Sequence, residues 1–335
     1  MIIKSIKLVN FRNHSAYELK CEDNTSLILG PNGSGKTSVL EAIYILTRGK
    51  SFRATDKDIL KHNEEYYRAE IEFEKGEKSA VVYDGQTKIF QIEDKKSRRL
   101  PKKSRYPVIL FLPSDLNLIS HAPSRRRDYF DNIFSQLNNN YSDAISKYNK
   151  ALKQRNELLK QENLNPVDLF SWNVILAKYG SYIHQNRQEY INKINLNLTE
   201  VYRSIAKNQD TVKIIYQSEA IDDETKYLKT IEQNYQKDFY LGHTSFGVHR
   251  DDYLFKFNQN LADGSASRGE SRSIILALKF IEADLIYQTT HQKPLILLDD
   301  VFSELDQIRR SCLIKNFQNH QVIITSVEAE PNILP

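Results

Sequence analysis

The sequence predicts an α/β fold with a parallel core of apolar strands, an antiparallel β subdomain and a mostly helical inserted domain. Three observations carry that prediction. A short apolar strand over 25–29 runs through a glycine-rich loop into an amphipathic helix over 37–46. Two further apolar runs, 294–298 and 321–325, are continuous enough for strands covered on both faces. Between these halves, residues 123–236 are polar and Asn-rich, with spaced Leu, Ile, Tyr and Phe, the pattern of surface helices. A chain of 335 residues has room for two domains, or one with a large insertion, and buries a core without a disulfide or metal staple.

The elements follow in order. Ile6 and Leu8 alternate with lysine in a strand over 2–8. After the strand at 25–29, Val39, Leu40, Ile43 and Leu46 recur at helical spacing. Ala69, Ile71 and Phe73 share one side of a strand beginning at Arg68. Val81-Val82, the turn signal Asp84-Gly85 and the alternation of 88–92 complete an antiparallel meander. Seven of the eleven residues from Lys95 to Arg105 are Lys or Arg, with Pro101 among them, which predicts a loop. Residues 107–112 read as a buried strand. In the insertion, Val167, Phe170, Val174, Ala177 and Tyr182 are expected on one helical face. Tyr253, Phe255 and Phe257 alternate, and Ile274, Ile275, Leu278, Ile281 and Leu285 line a helix over 271–287. The expected domains are 1–112, 113–240 for the helical insertion, and 241–335.

Composition excludes several classes. Lys+Arg is 47 and Asp+Glu 43, a balance of +4 that is too mild to name a nucleic-acid partner without local clustering. The mean hydropathy is −0.55 and no apolar run approaches the roughly 20 residues of a membrane span, so no membrane partner is expected. The first residues alternate and do not form a signal peptide. Cys21 and Cys312 are far apart, which excludes a disulfide framework, a multi-cysteine zinc site and a CxxC pair. A reducing, cytoplasmic setting is expected.

The chemistry concentrates in three motifs. Gly30-Pro31-Asn32-Gly33-Ser34-Gly35-Lys36-Thr37 fits GxxxxGK[ST] between a strand and a helix. Its glycines let successive N–H groups point at phosphate oxygens, and the helix start adds a favourable dipole. Lys36 would bridge the β- and γ-phosphates, Thr37 would ligate Mg²⁺, and Ser38 closes the motif. Leu295 to Leu298 end in Asp299 and Asp300, which places two carboxylates at the sheet edge beside that loop. Asp299 is the candidate Mg²⁺ partner and Asp300 the group that orients an attacking water. Ser267-Arg268-Gly269-Glu270 opens the 271–287 helix. Taken alone, it is an ordinary helix cap with a glycine turn.

In this order, with Ser303-Glu304-Leu305-Asp306 after the carboxylates, the motifs resemble the ATP-binding-cassette ATPase heads, which are P-loop NTPases. Further strings narrow the resemblance. They are Asn10-Phe11-Arg12-Asn13-His14, Lys50-Ser51-Phe52-Arg53, Phe111-Leu112-Pro113-Ser114-Asp115, Ser124-Arg125-Arg126-Arg127 and Gly247-Val248-His249-Arg250-Asp251-Asp252. Across nearly its whole length the chain looks like a member of the RecF family of bacterial replication and repair proteins, related to SMC and Rad50 heads. The resemblance implies a weak DNA-dependent ATPase with ATP and Mg²⁺ as cofactors. It implies an ATP-dependent homodimer in which Ser267, Arg268, Gly269 and Glu270 of one copy meet the nucleotide of the other, with Ser303 and Asp306 as D-loop. By the same resemblance Arg12 contacts nucleotide phosphate. The partners implied are double-stranded or gapped DNA, RecR, RecO and, indirectly, RecA, in a nucleoid-associated cytoplasmic setting. The sequence departs from the pattern at Asp300 (usually Glu), Glu270 (usually Gln), Val248 and Ser114. No histidine follows Thr325-Ser326, and a terminal helix is expected to be missing.

Clustered cations supply the case for DNA. Lys95, Lys96, Arg98, Arg99, Lys102, Lys103 and Arg105, with Arg125, Arg126 and Arg127, are candidate backbone contacts; a solvated charged loop is the competing reading. His249 to Asp252 read either as a polar cluster near a dimer or nucleotide face, or as a solvated turn. Two other functions share the motifs: the ATP-binding subunit of a transporter, and a scaffold in which ATP is only structural.

Overall fold

The computed structural model describes residues 2–327. Along the chain run β1 (Ile3–Phe11), β2 (His14–Lys20), β3 (Thr25–Leu29), α1 (Lys36–Arg48), α2 (Asp56–Ile59), β4 (Tyr67–Phe73), β5 (Lys78–Tyr83), β6 (Lys88–Ile92), β7 (Lys95–Ser97) and β8 (Val108–Phe111). Then come α3 (Pro123–Leu137), α4 (Asn139–Leu158), α5 (Phe170–Ala206), β9 (Val212–Gln217), α6 (Glu224–Gln233), α7 (Tyr235–Leu241), β10 (Asp252–Phe257), β11 (Asn260–Leu261), α8 (Ala262–Ser265) and α9 (Arg268–Thr290). The last described elements are β12 (Leu295–Asp299), α10 (Gln307–Phe317) and β13 (Val322–Ser326). The stretch where a terminal helix would follow β13 lies outside the described residues.

The chain forms two compact units, one of residues up to Asp115 and from Glu282 onward, the other Leu116–Ile281. The first break lies close to 113. The second falls well beyond 241, because β10 pairs with β9 along its length and its Tyr253 ring sits 4.2 Å from Phe130 of α3. By compactness, β10 and most of α9 therefore go with the helices.

The first unit holds two sheets. Six antiparallel strands run in the order β2-β1-β4-β5-β6-β7, and four parallel strands in the order β3-β13-β12-β8. Every residue of β12 and β13 is buried, as continuous apolar runs require. Helix α1 packs against both sheets and joins them in one core with Ile6, Leu8, Val39, Ile43, Tyr67, Leu297 and Ile323. It ends at Gly49, whose φ of 86° lets its N–H close on Ile45 O at 2.8 Å. The basic run is not wholly a loop. Lys95–Ser97 pairs with β6 as an exposed edge strand, Lys96 opposite Gln91. Lysines suit such an edge because they stay solvated and repel further strands. The hairpin strand β2 is mostly polar and half-exposed; only Tyr17 and Leu19, two residues apart on one face, pack against the core, a signal too short to stand out in the sequence.

In the second unit, β11-β10-β9 form a small antiparallel sheet against helices. The expected face of α5 needs correcting. Of the five residues, Ala177 is fully buried, whereas Val167 and Phe170 are 73% and 54% exposed. The buried stripe runs instead through Leu176, Gly180, Ile183, Arg187 and Ile194. Its phase is set by close approach: a Cβ on Gly180 would lie 2.5 Å from Tyr227 of α6.

The solvated-turn reading of His249–Asp252 does not hold, since of the four only Arg250 is exposed. His249 is packed inside the unit, with Nδ1 2.8 Å from Tyr148 Oη and Nε2 3.0 Å from Thr244 O. Asp251 is 1% exposed and accepts from Arg187 at 2.6 Å, from Ser218 at 2.5 Å and from Tyr216. Arg187 also forks onto Asp131 at 2.9 and 3.0 Å and donates to Val248 O at 2.7 Å. A buried guanidinium between two carboxylates is tolerated because each charge is matched and hydrogen-bonded.

Candidate nucleotide site

The site is built where parallel strands end. Leaving β3, Gly30 is tied to Ser326 O of β13 at 3.3 Å, and the chain turns through Gly33 and Gly35 at φ 82° and 96° into α1. Ser38 N closes on Gly35 O at 2.9 Å, so the amides of Lys36 and Thr37 precede the first helical acceptor. Lys36 is 8% exposed and curls back, Nζ donating to Gly30 O at 2.6 Å and Pro31 O at 3.1 Å. Thr37 Oγ1 donates to Asp299 at 2.8 Å. A cleft of about 610 Å³ is lined by Arg12, Asn32, Lys36, Arg53, Asp299 and Asp300, among others. The loop, Lys36, Thr37, Ser38, Asp299 and Asp300 thus meet, as their spacing predicts.

The donor set fits Mg²⁺, since Thr37 and Asp299 offer adjacent hard oxygens where phosphate oxygens and water would complete a shell. Among the described residues no cluster of three or more His, Cys, Asp or Glu offers a rival site. Asp300 sits in left-handed backbone at φ 52°, its N–H held by Thr325 O at 3.1 Å and Oγ1 at 3.0 Å. Its pKa lies above the usual range because partial burial, with help from Asp299 and Glu304, outweighs the opposing charge of Lys36.

Several residues of this cleft were not assigned a role in it from the sequence. Glu41 of α1 is fully buried beneath the loop. Arg12 forks onto it with two bonds of 2.9 Å, Arg53 with bonds of 3.0 and 2.9 Å, and Ser51 at 2.6 Å. Burial would raise the Glu41 pKa, but the bonds from Arg12, Arg53 and Ser51 win and hold it below the usual value. Asn13 Nδ2 donates to Gly33 O at 3.0 Å, and His14 Nε2 lies 3.1 Å from Gly35 O. A Cβ on Gly35 would fall 2.3 Å from His14 Nε2, so glycine is required there for contact as well as for φ. Thr325 Oγ1 also donates to Asp299 at 2.8 Å. A lone carboxylate inside the apolar run Val39-Leu40-Glu41-Ala42-Ile43 was the legible signal, because such a charge needs partners.

Ser267 to Glu270 belong to the other unit. There Ser267 Oγ accepts from Glu270 N at 3.3 Å and Glu270 Oε2 accepts from Ser267 N at 2.7 Å, a capping box. Glu and Gln serve that box equally, so Glu270 keeps the loop's form. In the 303–306 segment, Ser303 Oγ donates to Asp300 O at 2.7 Å, and Asp306 caps α10 by accepting from Arg309 N at 2.9 Å.

The basic candidates divide. Lys95, Lys96, Arg98, Arg99, Lys102, Lys103 and Arg125 are exposed, and Arg105 is half-buried. Arg126 is 8% exposed and forks onto Asp252 at 2.7 and 2.8 Å; Arg127 donates to Asp251 O at 2.7 Å. Arg126 is thus committed to the fold, which weighs against it as a candidate backbone contact, while Arg127 is half-buried.

The family profile described as an AAA ATPase domain matches residues 1–277. The chain is 33% identical to the DNA replication and repair protein RecF of Clostridioides difficile, covering 98% of this chain and 92% of that one. It is also 33% identical to the RecF of Clostridium perfringens, over 98% and 94%. Among solved structures, the recombination mediator RecF with ATP, from the RecFOR pathway, superposes with a TM-score of 0.87 at 28% identity, over 98% of this chain and 93% of that one. An SMC head bound to the C-terminal winged-helix domain of ScpA shares the fold, with a TM-score of 0.53 at 13% identity. On the extent and identity of these matches, the chain belongs to the RecF family of DNA replication and repair proteins.

Proposed function

We propose that the chain is an ATP-gated DNA-binding protein of replication and recombinational repair. The observation that carries this reading is the joined cradle: the Lys36–Thr37 loop, Asp299 and Asp300 in one cleft of a chain matched end to end by a RecF solved with ATP. In this reading the loop amides and Lys36 hold a triphosphate, and Thr37 with Asp299 holds Mg²⁺, which neutralises phosphate charge. Asp300 orients water. The Ser267–Glu270 cap of a second copy closes on the γ-phosphate, so that ATP joins two copies across gapped or double-stranded DNA. Slow, DNA-dependent hydrolysis then reopens the pair. Exposed Lys95, Lys96, Arg98, Arg99, Lys102, Lys103 and Arg125 are the proposed DNA contacts. RecR and RecO are the proposed partners, with RecA loading as the outcome, in a cytoplasmic, nucleoid-associated setting. The family match at 33% identity over nearly the whole chain favours this reading over a transporter subunit.

The test is sedimentation with and without ATP. Lys36→Ala is expected to lose ATP binding and ATP-dependent dimerisation together. Ser267→Arg is expected to bind ATP and stay monomeric. A wild-type protein that remains monomeric with saturating ATP and gapped duplex sinks the proposal.

A further inference from the structure

The first unit carries a second concentration of positive charge at the edge of the parallel sheet opposite the nucleotide cleft. The P-loop, Asp299 and Asp300 lie where strands end. At the other edge, where β3, β8, β12 and β13 begin, is a pocket of about 480 Å³. Five strand residues separate the two edges, about 16 Å of extended chain.

Lys103, Arg105 and Lys293 bring full charges to this pocket, and His291 and His320 bring imidazoles. Its lining carboxylate, Asp23, is ion-paired with Lys4. Two polar atoms are buried without a hydrogen-bond partner, Arg105 Nε and His320 Nδ1. Buried polar groups are normally satisfied, so these two residues of the pocket lining hold unspent bonding capacity: Arg105 Nε is a donor, and His320 Nδ1 is one in the tautomer protonated there, and both suit a ligand's oxygens. Burial and the neighbouring charge of Lys293 hold the His320 imidazole below its ordinary range, as expected where cations crowd together.

We propose that this pocket binds a phosphate monoester. Three fixed cations suit a group carrying about two negative charges at neutral pH, and a guanidinium suits its tetrahedral oxygens. The volume exceeds that of a bare phosphate and leaves room for an attached nucleoside or sugar. A recess also takes a terminal phosphate more readily than an internal phosphodiester, which has one charge and a substituent on each side. The monoester is supplied either by a free mononucleotide or by the phosphorylated end of a DNA strand. This inference does not depend on the function proposed for the nucleotide cleft.

The experiment is calorimetric titration of the full chain, with the nucleotide cleft first filled by a hydrolysis-resistant ATP analogue and Mg²⁺. The probes are deoxythymidine 5′-monophosphate and oligothymidine with either a 5′-phosphate or a 5′-hydroxyl. The monophosphate is expected to bind, and Lys293→Gln and Arg105→Gln each to weaken it by about tenfold. Lys293 is exposed, so Lys293→Gln keeps the test valid if the half-buried Arg105 variant folds poorly. Tighter binding of the 5′-phosphorylated strand than of its 5′-hydroxyl form identifies a strand end as the source. Equal binding of the two strands, with the monophosphate still bound, identifies a free mononucleotide. No binding of the monophosphate up to about 10 mM, or binding that neither substitution changes, overturns the proposal.

Discussion

Asp300 is one methylene shorter than the glutamate usual in cassette ATPases, and its backbone is pinned to Thr325 by two bonds of 3.1 and 3.0 Å. The missing reach, about 1.5 Å, is therefore not recovered by moving the chain. Asp300→Glu is expected to speed single-turnover hydrolysis several-fold, and rapid turnover by the wild type would refute the argument. The acid limb of the wild-type rate should also lie above the ordinary aspartate value of about 3.9, since the group's pKa is raised. His249 gives a separate pH effect. Burial lowers its pKa to about 4, so the folded protein holds it neutral while the unfolded chain protonates near 6.5. Stability is then full above about pH 6.5 and falls as pH drops toward about 4, by a total of about 3 kcal/mol. Melting temperatures across that window check this; His249→Gln should flatten the dependence, and an unchanged slope would refute it. At this scale the meeting of Lys36, Thr37 and Asp299 in one cleft was legible, because motif spacing and the strand ends place them together. Glu41 was legible only as a buried charge in need of partners; that Arg12, Arg53 and Ser51 supply them, and that Thr325 meets Asp299, was not, because no spacing rule links those residues.

Elements were legible where periodicity was strong. Strand β3 at 25–29 and β6 at 88–92 fall where alternation or an apolar run places them. Strand β9 was not foreseen, although Val212, Ile214 and Tyr216 are its buried side, because it is an isolated strand within helical sequence. Helix α5 shows a different limit: its buried face carries Leu176, Ile183, Ile194 and Leu198, but also Gly180, where Tyr227 approaches too closely for a side chain. Gly180→Ala is a favourable change for an isolated helix, yet here the added methyl meets Tyr227 at 2.5 Å. We expect a net loss of about 1–3 kcal/mol in denaturant unfolding. A stabilised variant would show that α5 and α6 are not closely packed at this point.

For the whole molecule, a charge of +4 predicts little, and the distribution of cations decides. Arg125→Ala should weaken DNA binding and reduce the slope of log affinity against log salt by about one. Arg126→Ala should instead act on folding, costing about 3 kcal/mol or more by leaving Asp252 without its fork. If both variants lowered the salt slope alike, Arg126 would be a surface contact after all. Fold class was legible at this scale, but the second break between the compact units was not, because the pairing of β10 with β9 is a long-range choice. The parallel sheet has one further consequence, for biosynthesis. Strand β13 lies between β3 and β12, and it supplies the Thr325 that holds Asp299 and Asp300. A ribosome thus exposes the glycine-rich loop some three hundred residues before the strand that seats it. Residues 116–281, continuous in sequence, are complete before β12 and β13 are made. Half-made chains therefore carry the phosphate-binding letters without the strand that seats them, and the pocket can close only when synthesis is nearly complete.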